Sequence, residues 1–140
     1  MTVKIVADSA CDVPEHLARE LDITIVPVYI NIGNQSFLEG VEISREQFYQ
    51  NLPTYPVYPT TAAPAVGSFT AVYDDLAAAG ATEILSIHIA ASLSATYNAA
   101  RLGAEAANAN VTVFDSEQIT MGSGLQVIAA AEAAAAGQSV

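Results

Sequence analysis

Basic residues are scarce in this chain. Four Lys and Arg stand against fifteen Asp and Glu, a net charge of −11. The four (Lys4, Arg19, Arg45, Arg101) are scattered. A phosphate backbone needs clustered cations, so nucleic acid is not an expected partner. The acidic balance also repels anionic ligands at long range. That field is screened beyond ~8 Å in physiological salt, so a local group of donors can still hold an anion. Cys11 is the only cysteine, which rules out an internal disulfide. His16 and His88 are the only histidines and show no metal-ligand spacing, so no metal or cofactor is expected. No run of about 18 apolar residues exists, so no membrane-spanning helix is expected. The opening MTVKIVADSA has too short an apolar run for a secretory leader, and an acid follows at once. A cytoplasmic location is therefore expected. With no Walker loop and no G-x-G-x-x-G, nucleotide binding has no positive signal.

What remains is apolar and patterned. Hydrophobic residues make up 52% of the 140 positions and charged residues 14%, enough for a core and a single domain over 1–140. Val3 to Ala7 reads as a buried strand ended by Asp8-Ser9. Asp12 and Glu15 have capping-box spacing around Pro14, which predicts a helix from Pro14 to Leu21. Ile23 to Ile32 reads as one β-branched strand, with Pro27 marking an edge position or a bulge. Gly33-Asn34 is a turn, with a return strand at Gln35 to Leu38. Ser44 and Gln47 form another capping box and open a helix at Arg45 to Asn51. Leu52 to Pro59 holds three prolines and should be irregular. Thr60-Thr61 leads into a third helix, whose buried face is Val66, Phe69, Tyr73 and Leu76, and which Gly80 ends.

Glu83 to Ile89 is a strand, Ala90 to Ser94 a hydroxyl-rich turn, and a helix runs on to about Asn108. Val111 to Phe114 is a further strand before Asp115-Ser116. Ser123 to Ala136 is an alanine-rich helix closed by Gly137. Strands alternating with helices predict a three-layer α/β/α fold around a mostly parallel sheet. Ligands of such sheets bind outside the carboxyl ends of the strands. Those ends carry Ser9, Ser92, Ser94 and Ser116, with Thr60 nearby, as a candidate polar rim.

Two readings fit Ser94 and Thr96. Serine before a helix caps a backbone N–H, worth ~1 kcal/mol. The same helix N-terminus also suits a carboxylate or phosphate. Thr60 and Thr61 share this ambiguity, and helix starts at Thr61 and Ser94 would make a two-sided anion seat. Asp8 and Asp115 more readily cap turns than form a catalytic acid pair. His88, inside a strand, reads as a satisfied buried histidine. A triad of Ser94, His88 and Asp115 lacks the G-x-S-x-G elbow.

Six segments in order and spacing carry a family resemblance. They are Asp8-Ser9-Ala10-Cys11-Asp12-Val13-Pro14, Ile25-Val26-Pro27-Val28, Leu38-Glu39-Gly40 and Thr60-Thr61-Ala62-Ala63-Pro64. The last two are Leu93-Ser94-Ala95-Thr96-Tyr97 and Phe114-Asp115-Ser116. The chain resembles the N-terminal domain of the DegV family of bacterial fatty-acid-binding proteins. The resemblance implies a long-chain fatty acid whose carboxylate is held at Thr61 and Ser94, with Ala95 and Thr96 alongside. It implies a carrier subunit for a fatty acid kinase, not an enzyme in itself. It also implies that the family's second, C-terminal domain is absent from this sequence. Ala62, Ala63, Ala65, Ala95 and Ala99 replace the serine, glutamine and glycine of the family pattern. A pocket lining of Ile25, Val28, Phe69, Val72 and Leu125 is expected behind the seat. A stand-alone or engineered scaffold without ligand is the alternative.

Overall fold

The computed structural model describes residues 2–140. Four short apolar strands form a wholly parallel sheet: β1 (Val3–Asp8), β2 (Ile23–Val26), β6 (Glu83–His88) and β7 (Val111–Asp115), in the spatial order β2-β1-β6-β7. β1 pairs with β2 from Ile5 opposite Ile23, and with β6 from Val3 opposite Glu83. Side chains alternate between the faces, so β1 feeds two cores. Ile5 and Ala7 join Ile23, Ile87, Val127 and Ala131 beneath α1 (Glu15–Glu20) and α5 (Met121–Ala135). Val6 joins Val26, Phe69, Tyr73, Ile84 and Ala100 beneath α3 (Val66–Ala78) and α4 (Thr96–Ala106). These layers are the α/β/α arrangement that the strand-helix alternation predicts.

The segment read as one strand, Ile23 to Ile32, divides at Pro27. β2 stops at Val26, and β3 (Tyr29–Ile32) starts a separate antiparallel sheet in the order β4-β3-β5. Proline offers no N–H to continue a ladder. The next donor, Val28 N–H, goes to Ser9 Oγ at 2.9 Å. β4 (Gln35–Leu38) is the expected return strand. α2 (Arg45–Asn51) has its full capping box, with Ser44 accepting from Gln47 N–H and Gln47 accepting from Ser44 N–H. The irregular segment after α2 begins with one 3-10 turn at Leu52–Thr54.

The helix start expected at Thr61 is a strand instead. β5 (Thr60–Ala62) pairs antiparallel with β3, Ile30 opposite Thr61, and α3 starts only at Val66. Pro64 explains the delay, because the residue before a proline avoids the helical region. The first predicted capping box also fails. Pro14 occupies the cap position of α1 with no side-chain cap, and Asp12 is left-handed at φ 58. Its carboxylate lies 2.6 Å from Arg45 Nη2.

Candidate functional site

β1 leads to β2 on one side, while β6 lies on the other, so the sheet's topological switch point falls between β1 and β6. Such a crevice at the carboxyl edge is where ligands enter open α/β sheets. Asp8 straddles it. Its Oδ1 accepts Ala10 N–H at 3.0 Å, and its Oδ2 accepts Ile89 N–H at 3.2 Å. One carboxylate thus ties the loops leaving both strands.

Behind Asp8 runs a buried polar chain. His88 Nδ1 lies 2.9 Å from Asp8 Oδ2, Ser86 Oγ 2.7 Å from His88 Nε2, and Tyr73 Oη 2.8 Å from Ser86 Oγ. All four side chains are inaccessible to solvent. A consistent polarity runs through them: Tyr73 donates to Ser86, Ser86 to His88, and His88 to Asp8. His88 is therefore the satisfied buried histidine expected of its strand position. Its partners are Asp8 and Ser86, not Asp115 and Ser94. Ser86 has the contacts of a nucleophile but no access for a substrate. Burial, then the charge of Asp8, pushes the Cys11 thiol up to about 12. Burial likewise pushes the Tyr73 phenol up to about 12. Asp115 caps a turn too, accepting from Ala91 N–H at 3.2 Å and Glu117 N–H at 2.9 Å.

In front of this edge lies a cleft of about 230 Å³. Its walls are the loops after β1, β2 and β7 on one side and the small antiparallel sheet with α2 on the other. Ala10, Val28, Ile30, Phe48 and Ile119 supply apolar surface, and Thr60, Thr61 and Thr120 also border it. On β5 the side chains alternate, so Thr61, opposite Ile30, shares that residue's face. Among the described residues Arg45 is the one cation on its lining, beside Asp12 and Glu39. The guanidinium is already engaged, 2.6 Å from Asp12, 3.3 Å from Glu39, and donating to Ser9 O at 2.9 Å. Its charge is therefore more than offset by its carboxylate neighbours, and among the described residues the Thr61 and Thr120 hydroxyls have no partner.

The predicted site residues divide between two places. Thr60 and Thr61 border the cleft together. Ser94, Ala95 and Thr96 lie on the turn beyond β6, at the same edge of the sheet, and are not among the residues bordering it. Ser94 is half-buried; its Oγ accepts Thr96 N–H at 3.2 Å and lies 2.9 Å from Thr96 Oγ1. Thr96 is fully buried. Ala95 holds the cap position of α4 and has no side-chain oxygen to cap it. Of the candidate rim, Ser92 is exposed, whereas Ser9 and Ser116 are buried. The Ser9 hydroxyl accepts Val28 N–H, and the Ser116 hydroxyl accepts Gln118 N–H at 3.2 Å.

The expected pocket lining is corrected in part. Val28 borders this cleft, and Ile25 borders a second one of about 370 Å³ beside α1. Phe69 is fully buried core, Val72 packs against that core, and Leu125 is exposed on α5. Helical periodicity marks a buried face but cannot separate a pocket wall from plain core. Thr120, Phe48 and Arg45 border the cleft and were not expected there. Thr120 follows a strand end like the other rim residues, which was the one available signal.

Residues 2–140 match the family model described as "Uncharacterised protein, DegV family". A DegV domain-containing protein of Deinococcus radiodurans is 41% identical over 141 residues, covering 100% of this chain and 50% of that protein. A solved structure described as fatty acid binding of a DegV family protein from Thermus thermophilus superposes with a TM-score of 0.89 at 33% identity. It is matched over 100% of this chain and 50% of that one. A stearic acid-binding protein from Eubacterium ventriosum gives a TM-score of 0.90 at 30% identity, over 99% of this chain and 49% of that one. The chain thus spans about half the length of these relatives. Among the described residues no helix is long and apolar enough to cross a membrane. From the strand order to the motif spacing, this chain belongs to the DegV family.

Proposed function

We propose that the protein binds a long-chain fatty acid at the carboxyl edge of its parallel sheet, with the carboxylate held by the Thr61 and Ser94 hydroxyls. The observation that carries this reading is the cleft itself: apolar walls from Val28, Ile30, Phe48 and Ile119 around threonine hydroxyls. An amphiphile with one small polar end matches that lining. Thr96 is the positioning residue, since its hydroxyl and N–H both engage Ser94 Oγ. About fourteen methylenes at ~0.8 kcal/mol each give on the order of 10 kcal/mol of gross tail burial. Each hydroxyl bond to a charged head adds about 1.5–3 kcal/mol. The tail therefore supplies affinity and the head sets orientation. A volume of about 230 Å³ falls short of the roughly 300–1,000 Å³ of complete ligand pockets. It suits the head and the first methylenes, not the whole chain.

The carrier role follows the same division. The bound acid would be presented to a separate fatty acid kinase, which phosphorylates the carboxylate, while this chain contributes no nucleophile. Mass spectrometry of lipid extracted from the purified protein tests the binding step, followed by titration with palmitate or oleate. No co-purifying acid and no uptake at micromolar concentration would sink it. Thr61→Ala combined with Ser94→Ala should weaken binding while the protein stays folded, with stability lowered by only about 1 kcal/mol through the lost Ser94 bonds to Thr96. The second reading, a scaffold with no ligand, is favoured by the alanines at positions 62, 63, 65, 95 and 99. It predicts no rise in melting temperature on adding palmitate, where a ligand at a hundred times its Kd adds about 2.7 kcal/mol.

A further inference from the structure

Thr120, on the loop between β7 and α5, has φ 55 and ψ −139. That lies outside even the left-handed helical region, in backbone space that glycine occupies freely and a β-branched residue rarely enters. The surroundings hold it there. Its N–H donates to Ala10 O at 3.1 Å. Its carbonyl accepts from Ser123 Oγ at 2.7 Å, Gly124 N–H at 2.9 Å and Ser123 N–H at 3.1 Å. For folding alone, glycine would serve better. The Thr120 side chain is exposed, borders the same cleft as Thr60 and Thr61, and its hydroxyl has no partner among the described residues.

We infer that Thr120 is a third ligand-contacting residue, whose hydroxyl donates to the carboxylate of a fatty acid seated in the cleft that it shares with Thr60 and Thr61. This rests on the fatty-acid reading above and deepens it. Three independent segments, β5 with Thr61, the turn after β6 with Ser94 and the loop after β7 with Thr120, then meet on the head group. The strain at Thr120 is the cost of aiming a hydroxyl from a position where only backbone is otherwise needed.

The experiment compares wild type with Thr120→Ser, Thr120→Val and Thr120→Gly by palmitate titration and thermal melting. Thr120→Ser keeps the hydroxyl and should bind as wild type does. Thr120→Val keeps the shape and loses the hydroxyl, so binding should weaken about tenfold or more. Thr120→Gly should melt about 2–4 °C higher as the strain is released, yet bind as weakly as the valine variant. Stability and binding moving in opposite directions is a result that a purely structural role cannot produce. Wild-type affinity in both Thr120→Val and Thr120→Gly overturns the inference and leaves the fatty-acid reading standing. Failure of wild type to bind palmitate overturns the fatty-acid reading, and this inference with it.

Discussion

Asp8 shows how much one side chain can organise. It accepts from two backbone N–H groups on different strand exits and from the His88 ring, and it sits 3.7 Å from the Cys11 thiol. Buried carboxylates persist only where such donors replace water. Asp8→Ala leaves those donors without a partner and should cost about 3–5 kcal/mol, readable by urea unfolding. Cys11 is the counterpart. It is fully buried, and its thiol stays protonated because burial and the Asp8 charge both oppose a thiolate. Under native conditions at pH 8 a thiol reagent should leave it unmodified, with full reaction only in denaturant. Rapid labelling of the folded protein would contradict this placement.

Between elements, close approach rather than side-chain bulk fixes the spacing. α3 and α4 meet at Gly103, where a Cβ would stand 2.7 Å from Phe69 Cβ and 3.1 Å from the Val66 carbonyl. Thr70 Oγ1 already donates to Gly103 O at 3.2 Å. Gly103→Ala should therefore destabilise by about 1–3 kcal/mol, although alanine favours the helix itself. Thermal melting reads this as a fall of a few degrees. α2 offers a contrast, since Arg45 clasps it to the β1 loop through Asp12 and the Ser9 carbonyl, and to the segment after β4 through Glu39. The side chain is 44% exposed, so the pairing is screened and worth only about 1 kcal/mol. Arg45→Ala should raise amide exchange in α2 and β4 while leaving β1 and β6 protected. Uniform exchange across both sheets would mean that the clasp acts on the whole fold instead.

Over the whole molecule, two buried acids of high pKa set the alkaline limit. The Cys11 thiol rises from 9.0, and the Tyr73 phenol from 10.0, each to about 12 in the folded state. A raised folded pKa means that the native state holds its proton more tightly than the unfolded chain. The stabilisation is complete below pH 9 and is lost as pH climbs from 9 towards 12. Each group can contribute a slope of up to about 1.4 kcal/mol per pH unit within its window. Denaturant midpoints should be flat from pH 7 to 8.5 and fall above 9. Cys11→Ala should remove the part that begins near pH 9, leaving the Tyr73 part that begins near 10. An unchanged midpoint at pH 11 would contradict both placements.

At each of these scales the sequence was legible where a local rule decides, and silent where contacts between distant segments do. Alternation of apolar strands with amphipathic helices sufficed for the parallel sheet and its two covering layers, because a buried strand is recognisable from its own residues. The Ser44–Gln47 cap and the terminator at Gly80 are equally local. Pro27 was visible as an irregularity, but its consequence, a chain that leaves one sheet to start another, depended on where Val28 N–H could find an acceptor. Thr61 was expected at a helix start and lies in β5, because pairing with Ile30 satisfies its backbone in a way no window around Thr61 can reveal. The hydroxyls at the strand ends were identifiable as types. Which are spent on backbone donors, as at Ser9 and Ser116, and which border the cleft with no partner among the described residues, as at Thr61 and Thr120, was settled only by tertiary structure. A hydroxyl's role is fixed by the nearest unpaired donor or acceptor in space, and sequence order does not carry that distance.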